Sequence, residues 1–194
     1  AVGFMQVHLG CKFSNIMFAT DSSGESAVDE GGYGIVATQI TNSEITSLLE
    51  QGEHPGLTIA KLGELGGAKR PYSSLTPTVP FTLLPDEFFN MDRWTNIAHG
   101  RWKLQEHITL KETRTVLKLT RLLSCLTCFH DTAVFSLQDN RPTARAMSKG
   151  RSTAYFLNRL LRMKSAICIA ARIRLLLPWC ESAKQPADEL SRQL

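Results

Sequence analysis

Residues 133 to 140 read AVFSLQDN. Ala133, Val134, Phe135 and Leu137 make a short apolar run with the length and composition of a buried strand, and the run stops abruptly at Gln138-Asp139-Asn140. Asp139 is followed by some forty residues, Asn140 to Cys180, without one acidic side chain. A carboxylate at the tip of a buried strand either closes a turn or delivers a charge to the edge of a sheet. Which of the two applies depends on what else the chain brings to that edge.

Upstream, FSNIMFAT (13–20) is an apolar run that ends at Asp21, and the polar stretch Ser22 to Glu30 leads into GGYGIVATQI, rich in Gly and β-branched residues. The pattern predicts two antiparallel strands joined by a loop. Residues 52 to 87 hold five of the eight prolines and five of the thirteen glycines. With a short helix near Glu44 to Gln51, they make 40 to 93 a loop-rich insertion between the second and third strands of a single domain spanning 1 to 194. A third strand is expected over 94 to 104. TLKETRTVLKLTRLLSCL then spaces its apolar residues by three and four, with Thr109 as N-cap and Glu112 three residues on, which predicts a helix. After the strand at 133 to 138 come a basic helix over 152 to 171, a strand over 172 to 179 and a last helix opened by Pro186. The class is α/β.

The 194 residues carry a net charge of only +4, with 43% hydrophobic side chains, enough for a core. The charge is unevenly placed. Residues 1 to 90 hold ten acids against four bases, and 91 to 194 hold eight acids against eighteen bases. Such asymmetry points to a polyanionic partner. The hydrophobic stretch 154 to 177 is broken by five bases, so no membrane span is expected. Five cysteines in apolar segments and the lack of a secretory signal suggest reduced, buried thiols in an intracellular protein of nucleus or cytoplasm, not a secreted one. Cys125-x-x-Cys128 followed by His130 raises a metal site, but no second ligand pair follows at suitable spacing. The chain starts at Ala1 rather than Met, as a piece of a longer polypeptide does.

Four acids fall at similar places: Asp21 and Asp139 at strand ends, Glu112 and Asp188 in what reads as the first turn of a helix. Singly, each has a plain explanation in the helix macrodipole or in turn chemistry. Together, at one edge of an open sheet, they could not stay ionised without cations. Mg²⁺ or Mn²⁺ suits such oxygen ligands, and paired ions about 4 Å apart serve phosphodiester hydrolysis, one activating the attacking water and the other stabilising the leaving oxygen.

FATDSSG with GGYGIVAT, then ITLKET, VFSLQDN and PADELSR, in this order, resemble the ribonuclease H domain of retroelement reverse transcriptases, particularly the tyrosine-recombinase (DIRS-like) group. The resemblance covers roughly residues 13 to 39 and 94 to 194. It implies a ribonuclease H-like fold: a five-stranded mixed sheet, three strands antiparallel and then parallel ones, flanked by helices. It further implies an Mg²⁺-dependent endonuclease that hydrolyses the RNA strand of RNA/DNA hybrids, beside a reverse transcriptase domain in a polyprotein. Asp21, Glu112, Asp139 and Asp188 are then the catalytic, metal-binding acids. Two departures stand out: Pro178 to Gln185 lacks the histidine that the family often has, offering only Glu181 and Lys184, and the loop between strands two and three is long.

Between Asn140 and Glu181 lie nine bases. An A-form-like hybrid is bound through shape, phosphates and 2′-hydroxyls, and Ser23, Asn140, Arg145, Lys149, Arg151 and Asn158 are the candidate substrate contacts. Tyr155 and Phe156 are expected in the core. The alternatives are a catalytically decayed domain of the same fold that binds nucleic acid or protein, and another nuclease of the superfold such as an integrase or resolvase.

Overall fold

The computed structural model of the chain describes residues 10–24, 31–51, 86–103 and 105–192. Six strands form one mixed, open sheet: β1 (Lys12–Phe13), β2 (Ile16–Ser22), β3 (Gly32–Gln39), β4 (Thr95–Arg101), β5 (Thr132–Leu137) and β6 (Arg174–Leu176). β2, β3 and β4 pair antiparallel, and β5 runs parallel to β1, β2 and β6. Six strands replace the expected five because the first apolar run breaks at Ser14-Asn15. Both of its halves lie along β5, Lys12 opposite Thr132 and Phe18 opposite Ser136, so the break holds two more residues than β5 does over the same span. Ser14 still donates its amide to Ala133 O at 2.8 Å.

Alternation along the strands sends side chains to opposite faces and builds two cores. Phe18, Ile35 and Val134 pack with Val116, Leu119, Leu123, Met147, Leu157 and Leu161, from helices α2 (Ile108–Cys125), α3 (Arg141–Lys149) and α4 (Tyr155–Ala171). Met17, Ala19, Val36, Phe135 and Leu137 pack with Ile45, Leu48, Phe88 and Leu190, from α1 (Asn42–Gln51), the short turn Asp86–Phe89 and α5 (Asp188–Arg192). The sheet is thus covered on both sides, as buried parallel strands require.

The short helix expected near Glu44 to Gln51 is present as α1, with Thr41 and Glu44 exchanging hydrogen bonds at its start, and the part of the expected insertion from 52 to 85 lies outside the described residues. Several other sequence expectations are corrected. The third strand ends at Arg101, and Leu104 is outside the description. His107, not Thr109, caps α2, its Nδ1 accepting from the Thr109 amide. The basic helix starts at Tyr155 rather than 152, and a separate helix, α3, precedes it. β6 keeps only three of the eight residues expected, since Arg172 ends α4 in the left-handed conformation and Pro178 has no amide to pair. Among the described residues no helix is long and apolar enough to cross a membrane. All five cysteines are free, but only Cys180 is buried; Cys125 and Cys128 are exposed.

One close contact fixes the last helix. A Cβ on Gly34 of β3 would sit 2.8 Å from Ala187 O and 3.1 Å from Ser191 N. Only a residue without Cβ lets α5 lie this near the strand, and Gly34 is the register partner of Asp21.

Candidate metal centre

β2 and β5 are parallel neighbours, so their C-terminal ends open on the same edge of the sheet. Asp21 lies near the end of β2, and Asp139 lies two residues beyond β5. The polypeptide past β5 is held in place by the bridge between Gln138 and Trp179 and by Trp179 Nε1, which donates to Asp139 O at 2.7 Å. Glu112 comes from α2. It occupies the helix's fifth position, two residues later than expected and in the second turn, so the macrodipole, which acts within the first turn, does not account for it. Ile108, one helical turn before, lines the same cleft.

Oxygens of Asp21, Glu112 and Asp139 all lie within 4.8 Å of one another. Asp21 and Glu112 are buried, and Asp139 is half-buried. Ser191 Oγ donates to Asp21 Oδ2 at 2.5 Å, and the Ser22 amide donates to Glu112 Oε1 at 3.2 Å. Glu112 Oε2 and Asp139 Oδ1 are buried and have no hydrogen-bond partner. Buried carboxylate oxygens without donors are costly. Two of them in the residues of one cluster suit a cation, so these three residues can hold a metal ion.

The electrostatics agree. Burial is the main cause that lifts Asp21 to about 6; the Ser191 hydrogen bond works against it, and the charges of Asp139 and Asp188 add to it. Burial also pushes Glu112 well above the usual carboxylate range, with Asp21 and Asp139 the next contributors. Such raised values are what like charges crowded into a poorly solvated place produce, and a bound cation reverses their cause.

Asp188, the fourth acid, lines the same cleft but is outside the triad. Its Oδ1 accepts from Arg192 Nε at 2.8 Å and Nη2 at 2.7 Å. The cleft, about 620 Å³, is otherwise walled by the Ser22–Gly24 loop, Gly31, Asn140, Ser182 and Arg192. Of the expected substrate contacts, Ser23 and Asn140 reach it. Both are tied to the backbone: Ser23 Oγ accepts from the Gly32 amide at 2.6 Å and donates to Ser191 O at 2.7 Å, and Asn140 Oδ1 caps α3 through the Thr143 amide. Arg145, Lys149, Arg151 and Asn158 are not among the lining residues. Asn158 Oδ1 accepts from the Ser152 amide instead. Tyr155 and Phe156, expected in the core, are 76% and 67% exposed.

Sequence reasoning missed Ser191, Arg192 and Trp179. Ser191 and Arg192 stand three and four residues after Asp188 and so on its side of a helix, a spacing visible in ADELSR; nothing in the sequence marks Trp179. No protein-family model matches the chain, and no curated protein matches it at a significant level.

Proposed function

We propose that the chain is a ribonuclease H-like domain, an Mg²⁺-dependent endonuclease that hydrolyses the RNA strand of RNA/DNA hybrids and that works within a retroelement polyprotein beside a reverse transcriptase domain. The observation that carries this reading is the convergence of the Asp21, Glu112 and Asp139 oxygens, with Glu112 Oε2 and Asp139 Oδ1 left without donors. The order β4-β3-β2-β5-β6, antiparallel and then parallel, is compatible with that fold.

Asp21, Glu112 and Asp139 would hold the metal, and Asp188 becomes a fourth ligand if Arg192 releases it. A divalent cation held by these carboxylates would supply an acidified water and charge compensation for a phosphodiester transition state. The rest falls to the protein. Ser191 fixes the Asp21 carboxylate, Trp179 fixes the backbone of Asp139, and Arg141, whose guanidinium lies 3.9 Å from the centre of the Trp179 ring, backs that indole.

The test is cleavage of a labelled RNA/DNA hybrid in Mg²⁺ by the chain and by Asp139→Asn. Cleavage by the first and none by the second is expected. The Asp188–Arg192 pair and the absence of a histidine between Pro178 and Gln185 favour a second reading, a decayed domain that binds nucleic acid or protein without cutting. Hybrid binding by both proteins with cleavage by neither would establish it.

A further inference from the structure

Arg141, Arg145 and Lys149 recur every fourth residue on α3, and all three are exposed, while Thr143, Ala144 and Met147 face inward. The row begins next to Asn140 at the cleft and follows the helix for about 12 Å at 1.5 Å per residue. Gly150, left-handed at φ 67°, stops α3. The chain then turns through Arg151 into α4, whose first two residues are the exposed Tyr155 and Phe156. Their rings meet edge to face, 5.4 Å between centroids and 80° between planes. Arg159 and Arg162 are exposed four and seven residues after Tyr155, on its side of the helix, whereas Leu157, Leu160 and Leu161 are buried.

A single exposed apolar side chain needs no explanation. Two adjacent aromatic rings, both mostly in water and set among bases in a segment without acids, do. Rings and bases interleaved in this way match a single nucleic-acid strand, whose unpaired bases offer faces to stack and whose phosphates meet the guanidinium groups. Along a duplex the base faces are hidden in the helix, so the rings have a partner only where pairing has stopped.

We propose that Tyr155 and Phe156 are a stacking platform for an unpaired nucleic-acid strand, with Arg151, Arg159 and Arg162 engaging its phosphates. The platform extends the hydrolase reading, on which it rests for the view that the strand continues from a hybrid seated in the cleft. Its substrate class is then a hybrid with a single-stranded extension.

The test uses a fluorescent oligothymidylate of about twelve nucleotides, within the span that single-strand sites cover. Binding is read by anisotropy with the full chain in EDTA, where neither RNA nor metal takes part. Tyr155→Ala with Phe156→Ala should weaken binding by roughly tenfold or more, the loss expected when stacked bases are left without an aromatic partner. Tyr155→Trp with Phe156→Trp should retain it. Arg159→Gln with Arg162→Gln should flatten the salt dependence by about 0.7 in log–log slope for each phosphate left without its guanidinium. Alanine variants that bind like the parent at unchanged circular dichroism would overturn the platform. So would tryptophan variants as weak as the alanine ones, or alanine variants that alter only self-association, which would mark the rings as a protein contact. Cleavage of a blunt hybrid plays no part in this readout, so either reading can fail without the other.

Discussion

Ser191 and Asp21, 170 residues apart in sequence, share a hydrogen bond of 2.5 Å that ties the last helix to the end of the strand carrying the metal-site acid. The hydroxyl holds Asp21 below the value that burial and the neighbouring charges alone would give it. Ser191→Ala should therefore raise the Asp21 pKa above about 6 and move the acid limb of Mg²⁺ binding to higher pH. It should also lower stability by about 1–2 kcal/mol, the cost of stranding a buried acceptor. Calorimetric Mg²⁺ titrations between pH 5 and pH 8 and urea unfolding check the two effects.

The metal-free protein should be most stable in mild acid. Asp21 is lifted from an ordinary 3.8 to about 6 on folding, and Glu112 is lifted as well. Below the lower value both folded and unfolded chains hold the proton. As pH rises from about 4 to about 6 the unfolded chain releases it first, so stability falls and stays low above the folded value. For Asp21 this amounts to about 3 kcal/mol as an order of magnitude. Thermal unfolding in EDTA should show the fall, Asp21→Asn should flatten it, and Mg²⁺ at pH 7 should restore the stability.

Gly34→Ala should destabilise the fold by about 1–3 kcal/mol through overpacking, because the new Cβ meets the Ala187 carbonyl just before α5 and the Leu190 Cβ and Ser191 amide within it, none of which can swing away. As the displaced helix carries Ser191, Mg²⁺ affinity should fall along with stability. Urea midpoints and Mg²⁺ titration of the same sample test this. Unchanged affinity at reduced stability would separate α5 from the metal centre.

Arg192→Gln should leave stability within about 0.5 kcal/mol, since the pair with Asp188 lies at the surface of the cleft. Without that partner Asp188 is available to a cation. The Mg²⁺ concentration for half-maximal hybrid cleavage should then drop severalfold, as steady-state assays at varied Mg²⁺ would show.

The acids of the metal centre were legible because each stands where a recognisable element ends. The apolar runs 13–20 and 133–137 deliver Asp21 and Asp139, and the three- and four-residue spacing of TLKETRTVLKL delivers Glu112. Sheet pairing then does what the sequence pattern implies. Less legible was everything that depends on close approach. The α3 start has ordinary signals, Asn140 as cap and Pro142 in the first turn, but Arg-Pro after Asp-Asn reads equally well as a turn. Tyr155 and Phe156 look like core residues in a one-dimensional pattern, since periodicity does not say which face of a helix has a neighbour. The Asp188–Arg192 pair lies within one helical turn, yet whether that Asp faces a cation or an arginine is decided by side-chain geometry.

The carboxylate cluster and the hydroxyl that holds it are drawn from widely separated parts of the sequence. Asp21 arrives with the first long strand, Glu112 and Asp139 more than ninety residues later, and the hydroxyl that holds Asp21 only at residue 191. Closing a loop this long costs chain entropy before the contact is made. During synthesis, a nascent chain that has emerged only as far as Leu176 has every strand of the sheet but not the helix that orients its first acid. Alignment of Asp21 thus waits for α5 to dock, and a product cut short before Ser191 keeps much of the core while losing that alignment.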